Sequence, residues 1–147
     1  MKRVIVLRGL PGSGKTTLVR KEFPDAVVCS ADDFFVVDGE YQFNLGLIGQ
    51  AHQACWRKFF SAVQSGAELV VVDNTATSIA EIAPYVLPAE TYGYSVEIVS
   101  LRCDPAKAAS RSVHDVPDAI FKKMVASFEA SSAAMPLWWQ HQTRDAE

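Results

Sequence analysis

Gly9-Leu10-Pro11-Gly12-Ser13-Gly14-Lys15-Thr16 is the stretch on which the fold turns. A glycine, four residues and then Gly-Lys-Thr make the full pattern of a phosphate-binding loop. At ordinary residue frequencies such a pattern arises by chance in a chain of this size with a probability of about half a percent. Gly9, Gly12 and Gly14 permit positive φ and close backbone approach. Just upstream, Val4–Leu7 is a short apolar run with the composition of a buried strand. Downstream, Lys15–Glu22 reads as a helix stopped near Pro24. A strand feeding a glycine loop that opens a helix is the context the mechanism needs. Successive amide N–H groups there converge on phosphate oxygens at the positive end of the helix. In such a loop Lys15 reaches the β- and γ-phosphates and the Thr16 hydroxyl ligates magnesium. The loop specifies nucleotide binding, not the use made of the nucleotide.

Further along, strand and helix patterns alternate. Ala26–Cys29 is a second strand candidate, and Asp38-Gly39-Glu40 signals a turn. A long helix is expected from Asn44 to about Ser65, its apolar stripe running through Leu45, Ile48, His52, Cys55, Trp56, Phe59 and Val63, with Gly66 as its stop. Glu68–Val72 reads as a third strand ending at Asp73. Ser78 and Glu81 have capping-box spacing, and Pro84 and Pro88 are expected to break or kink the helix that follows. Ser95–Leu101 is the fourth strand. Asp104-Pro105 caps a short helix to Arg111. Val116-Pro117 opens another helix, with Ile120, Phe121, Met124, Val125 and Phe128 on one face. The aromatic tail from Pro136 to Trp139 is expected to pack on the core. This alternation gives a parallel sheet with helices on both faces.

Composition bounds the rest. The chain has 147 residues, about one domain, with 49% hydrophobic and 21% charged residues. That excludes disorder as the main state, and no apolar run approaches the roughly 18 residues of a membrane helix. Three cysteines, Cys29, Cys55 and Cys103, stand far apart with no C-x-x-C pair, which fits a reducing compartment and argues against zinc. The expectation is a single soluble, intracellular (cytoplasmic) domain with no membrane partner. Net charge is −3, yet Lys2, Arg3, Arg8, Lys15, Arg20 and Lys21 precede the first carboxylate. A local anion site near the N-terminus is compatible with an acidic protein.

Two acidic strand ends refine the chemistry. Asp32 and Asp33 follow the second strand and Asp73 ends the third, so all three fall at the carboxyl edge of the sheet beside the loop. A carboxylate there can orient and deprotonate an acceptor hydroxyl, ligate magnesium or fix a cation. Asp32 also has the residue type and place of a helix cap. Arg111, just before a helix break, has the place of a lid arginine, the kind of cation that transition-state charge on a phosphoryl group needs. An arginine at a helix end also serves the helix dipole. His52 reads as a core residue and His114 as a loop residue.

With those residues in place, the chain resembles the P-loop kinases of the polynucleotide-kinase-like group. That group includes small stand-alone AAA-type ATP-binding kinases, the kinase module of animal ubiquitin-ligase-binding proteins, and phage polynucleotide and 5-hydroxymethyluracil DNA kinases. The matching segments are GLPGSGKTT (9–17), SADDFF (30–35), GEYQFN (39–44), AHQAC (51–55), VVVDNTAT (70–77), PYVLPAETYGYSVEIV (84–99) and RSVHDVP (111–117). The resemblance implies an α/β three-layer sandwich of P-loop kinase type. Its single domain, residues 1–147, would hold a four-stranded parallel sheet of order 2-3-1-4 and a lid at about 105–118. It implies ATP and Mg2+, and transfer of the γ-phosphate to a hydroxyl. By position, Lys15, Asp32 and Arg111 are the catalytic set, with Asp32 as general base. Gly9, Pro11, Gly12, Ser13, Gly14, Lys15, Thr16, Thr17 and Arg111 bind the nucleotide. Thr16 and Asp32 hold the metal, and Asp33, Phe35, Asp73 and Asn74 lie on the acceptor side.

Three departures stand out. The phage end kinase has an arginine, contacting the acceptor's phosphate, where Phe35 stands. Ser112 and Asp115 replace the Asn and Gly of the lid motif, and Thr77 stands where the strand-three motif has a second Asn. The acceptor expected is a hydroxyl of a nucleic acid or nucleotide, either a 5′ end or a hydroxymethylated base. A small-metabolite or nucleotide-sugar kinase and a non-catalytic ATP-binding module are the alternatives.

Overall fold

The structure, a computed structural model, describes residues 1–112 and 116–146. β1 (Arg3–Arg8) leads through the glycine loop into α1 (Lys15–Glu22). β2 (Val27–Cys29) is followed by a 3-10 turn, Ala31–Phe35, and a hairpin of two-residue strands, β3 (Val36–Val37) and β4 (Glu40–Tyr41). A second such turn, Leu45–Leu47, runs into α2 (Ile48–Ser65). Then come β5 (Leu69–Asp73), α3 (Ile79–Thr91), β6 (Ser95–Arg102), α4 (Pro105–Arg111), α5 (Asp118–Ala133) and β7 (Gln140–Asp145).

The main sheet runs β2-β5-β1-β6-β7, and every pairing in it is parallel. This corrects the expected four-stranded sheet. The order 2-3-1-4 survives among the first four strands, but a fifth strand extends the sheet beyond β6. Its sequence, Gln-His-Gln-Thr-Arg-Asp, carries no apolar alternation and so gives no strand signal. Tertiary contacts hold it instead. His141 Nε2 lies 2.7 Å from Ser100 Oγ, and Arg102 Nε donates to Asp145 at 2.8 Å. Arg144 makes a two-pronged ion pair with Glu22 of α1.

Alternation in the central strands fixes the layers. Val4, Val6, Val70, Val72 and Ile98 turn to one face, under Phe59 and Val63 of α2 and Ile82 and Val86 of α3. Ile5, Leu7, Val71, Val99 and Leu101 turn to the other, under Val19 of α1. Helices therefore cover both faces. A third cluster, Leu10 with Ala108 of α4 and Phe128 of α5, closes the carboxyl edge beside the loop. Each fully buried Val, Leu or Ile contributes about 1.5–3 kcal/mol, which is why these strands need no disulfide; all three cysteines are free.

Some local expectations shift. Asn44 caps not α2 but the short turn before it, accepting from the Gly46 amide at 2.9 Å. The Ser78–Glu81 capping box is present. Pro84 and Pro88 neither break nor end α3, which continues through both. With no N–H, Pro88 leaves the Pro84 carbonyl without its helical donor; Trp56 Nε1 donates to that oxygen at 3.0 Å. In the tail, Met135 is buried and Trp139 packs on the core, but Leu137 and Trp138 stand in solvent at 98% and 83% exposure. Val113, His114 and Asp115 lie outside the described residues, and with them the His114 and Asp115 readings and part of the expected lid. Among the described residues, no helix is long and apolar enough to cross a membrane.

Candidate active site

The parallel register carries the acidic strand ends to the loop. Leu7 of β1 pairs with Asp73 of β5, and Cys29 of β2 pairs with Val72. The loop itself starts at Gly9, whose N–H donates to Thr75 O at 3.1 Å. A Cβ at Gly9 would stand 2.7 Å from Ser13 Oγ and 3.1 Å from Leu101 O. Gly12 has φ +81, and a Cβ there would strike Ala108 O at 2.0 Å, so loop and α4 touch backbone to backbone. Gly14, at φ +97, is the N-cap of α1 and supplies no side-chain cap; the first turn of α1 holds no carboxylate. The leading amides of α1 thus lack the usual acceptor. Pro11 is buried, while Thr16 and Thr17 are exposed. Ser13 Oγ is buried with no hydrogen-bond partner among the described residues.

Lys15 Nζ donates to Gly9 O at 3.0 Å and Leu10 O at 3.1 Å, curling over the loop. Burial holds its pKa below the usual 10.5, against the pull of Asp73 and Asp32. Burial pushes the Asp73 carboxyl up, against Lys15, with Asp32, Asp33 and the Thr16 hydrogen bond as lesser influences. Thr16 Oγ1 is 3.5 Å from Asp73 Oδ2. Lys15, Thr16, Asp32, Asp33 and Asp73 therefore form one cluster. Its glycine cradle, uncapped helix start and under-solvated lysine fit the phosphates of a nucleotide. Among the described residues, no group of three or more His, Cys, Asp or Glu could cage a metal. The hard oxygens of Thr16 and Asp32 fit magnesium in the usual way, as a few protein ligands completed by phosphates.

Asp32 sits on the turn Ala31–Phe35, whose N-cap is Ser30; Ser30 Oγ accepts from the Asp32 amide at 3.2 Å. The cap reading thus belongs to Ser30. The Asp32 carboxylate instead accepts from Tyr41 OH at 3.2 Å. Asp33 is exposed beside it. Asn74 is buried, with Oδ1 accepting from the Ala31 amide at 2.8 Å and Nδ2 turned to Cys55 Sγ. It pins the Asp32 turn to the end of β5. Phe35 is only 2% exposed and belongs to the core cluster. Arg111 is exposed at the last turn of α4. It lines a cavity of about 830 Å³ with Leu10, Cys103, Val125 and Phe128, roomy enough for a nucleoside.

Sequence reasoning missed Arg8. It reads as one of several N-terminal cations, yet it is fully buried beneath the loop. Nε donates to Ala76 O at 2.9 Å, and NH1 to Ser100 Oγ at 2.7 Å and Ser132 Oγ at 2.8 Å. NH2 donates to Ser131 Oγ, and the guanidinium lies 4.3 Å from the Phe128 ring centroid. Burial lowers its pKa to about 10, with Glu81 opposing. Ala76 takes φ +44, an uncommon value for a residue with a side chain, where it presents that carbonyl. No local pattern announces this brace, because its partners are far along the chain.

Known proteins resemble this chain in sequence or in fold. Human NEDD4-binding protein 2 is 30% identical over 133 residues, covering 86% of this chain. The chain spans only 8% of that relative's length. The structure of the Pnkp1/Rnl/Hen1 RNA repair complex superposes with a TM-score of 0.74 at 15% identity, over 92% of this chain and 46% of that one. A gluconokinase from Sinorhizobium meliloti 1021 superposes with a TM-score of 0.61 at 15% identity, over 98% and 82%. At such identities the likeness shows a shared P-loop kinase-like α/β fold. The family profile described as "AAA domain" matches residues 4–131, and on that match the chain belongs to the AAA domain family.

Proposed function

We propose that this protein is an ATP-dependent kinase that transfers the γ-phosphate to a hydroxyl of a nucleic acid, at a 5′ end or on a hydroxymethylated base. The observation that carries the reading is the convergence of Lys15, Thr16, Asp32 and Asp73 around the uncapped start of α1. When bound with magnesium, ATP supplies the phosphoryl group, the acceptor oxygen bonding to its terminal phosphorus as the bond to the bridging oxygen breaks. Asp32 takes the acceptor's proton, which a carboxylate at the mouth of the loop can do. Lys15 leaves the carbonyls of Gly9 and Leu10 to neutralise phosphate charge, with Arg111 closing from α4. Thr16 and Asp32 would hold the magnesium. The exposed Asp33 stands next in line on the acceptor side. The likeness to the RNA repair complex supports a nucleic-acid acceptor; the likeness to a gluconokinase supports a small-metabolite acceptor as the second reading.

The test is transfer from γ-labelled ATP to 5′-hydroxyl DNA and RNA, DNA carrying 5-hydroxymethyluracil, and a sugar and nucleoside mixture. Lys15→Ala should abolish transfer and weaken ATP binding. Asp32→Ala should keep ATP binding and lower transfer by about 10²–10⁴-fold. Full activity in Asp32→Ala would move the base to Asp33, and label on a sugar alone would select the second reading.

A further inference from the structure

Beside Asp32 stands a group of aromatic rings that the phosphoryl-transfer cluster does not use. Phe35 is its buried centre, with ring centroids 5.5 Å from Phe34, 6.1 Å from Tyr41 and 5.0 Å from Phe43, all edge to face. The Gln42 amide donates to Phe35 O at 2.7 Å and clips the hairpin end to the Asp32 turn. Raised on that support, Phe34 is 37% and Phe43 is 53% exposed. Tyr41 and Phe43 lie nearly parallel, at 13°, and the Tyr41 hydroxyl touches the Asp32 carboxylate. An exposed apolar patch of this kind, held in place yet uncovered, marks a binding surface.

The charge carried by the turn and hairpin themselves is one-sided. Asp32, Asp33, Asp38 and Glu40 lie on this turn and hairpin, and the sequence holds no Lys or Arg between Lys21 and Arg57. A phosphodiester needs cations to seat it, and these elements offer carboxylates. A flat neutral ring needs only aromatic faces, and base-on-aromatic stacking is indifferent to the acceptor's charge.

We infer that the acceptor is taken ring first. Phe34, Tyr41 and Phe43 form a stacking subsite for an uncharged, unpaired nucleobase, which brings a hydroxyl on or near that ring to Asp32, and the acceptor's phosphates make no contact on this side. The inference rests on the kinase reading and narrows it. A base held in a duplex has its faces covered, so the subsite selects single strands or splayed nucleotides.

The experiment uses the whole chain with γ-labelled ATP and magnesium, and four acceptors: a single-stranded oligonucleotide, the same strand in a blunt duplex, a nucleoside, and its 3′-phosphate. Nucleosides with and without a hydroxymethyl group on the base are included. The single strand should exceed the duplex by about tenfold in kcat/KM, and nucleoside and 3′-phosphate should agree within about threefold. Phe43→Ala should raise the acceptor KM by about tenfold with the ATP KM unchanged, and Phe43→Trp should restore it. A 3′-phosphate preferred by tenfold or more would mean a phosphate contact and overturn the inference. So would a Phe43→Ala chain whose acceptor KM is unmoved, or one in which the substitution only splits a dimer. Those results leave the kinase reading standing. ATP binding with no labelled acceptor removes both.

Discussion

Arg8 shows how a single side chain can be decisive without touching a ligand. Its guanidinium joins the end of β1, the segment after β5, β6 and α5 at one point under the phosphate-binding loop. Among the described residues it meets hydroxyls, carbonyls and the Phe128 ring. Hydrogen bonds to a charged group contribute roughly 1.5–3 kcal/mol each, and a deleted partner leaves buried oxygens unsatisfied. Arg8→Met should therefore lower stability by about 2–4 kcal/mol in denaturant unfolding. Arg8→Lys should recover less than half, because an ammonium cannot serve several directions as a planar fork does. The places of Lys15, Thr16, Asp32 and Asp73 were legible in the sequence because they lie in the glycine loop or just after recognisable strands, at the carboxyl edge of the sheet. Arg8 was not, since its partners stand 68 to 124 positions away. Tyr41 lies in the matching segment GEYQFN, but its bond to Asp32 depends on how the hairpin folds back.

Among the elements, the loop and α4 are the pair whose contact matters most. Gly12 has no side chain because the Ala108 carbonyl and the Ser112 amide occupy the space one would need. Gly12→Ala meets both that clash and a φ of +81, each costing of order 1–3 kcal/mol. The variant should bind ADP at least about tenfold more weakly by calorimetry. If it binds ADP as the parent does, α4 is not tied to the loop. The helices with strong periodicity and caps, α2 and α3, were readable, although two prolines argued wrongly against the continuity of α3. There the orphaned carbonyl found a donor in Trp56, on another helix, and no local rule could see that. β7 was invisible for the converse reason. Its polar sequence has no strand character of its own and is held by pairing with β6 and by charge contacts to Arg102 and Glu22.

At the scale of the whole molecule, docking of β7 makes stability depend on pH. Ser100 Oγ accepts from Arg8 and lies 2.7 Å from His141 Nε2 of β7. Burial and the nearby Arg8 charge hold the His141 pKa below 6.5. The unfolded chain then binds more protons than the folded one as pH falls through 6.5, so stability is complete above that value and declines below it. His141→Gln should flatten that acid-side slope in a series of thermal melts. An unchanged slope would assign the acid sensitivity elsewhere. The overall architecture was legible because strand–helix alternation admits few parallel topologies; where the sheet stops was not.

The Arg8 brace has a consequence for the order in which the chain is made. Its last hydroxyl partner, Ser132, is synthesised 124 residues after it. At about 5–20 residues per second, that interval is roughly 6–25 s. Throughout it, the apolar run Val4–Leu7 has emerged with a cation at its end and no pocket to receive it. The nascent β1 must therefore be sheltered or stay loose until α5 has left the ribosome. A translational pause before that point lengthens the exposure of the strand, while a pause after it is harmless.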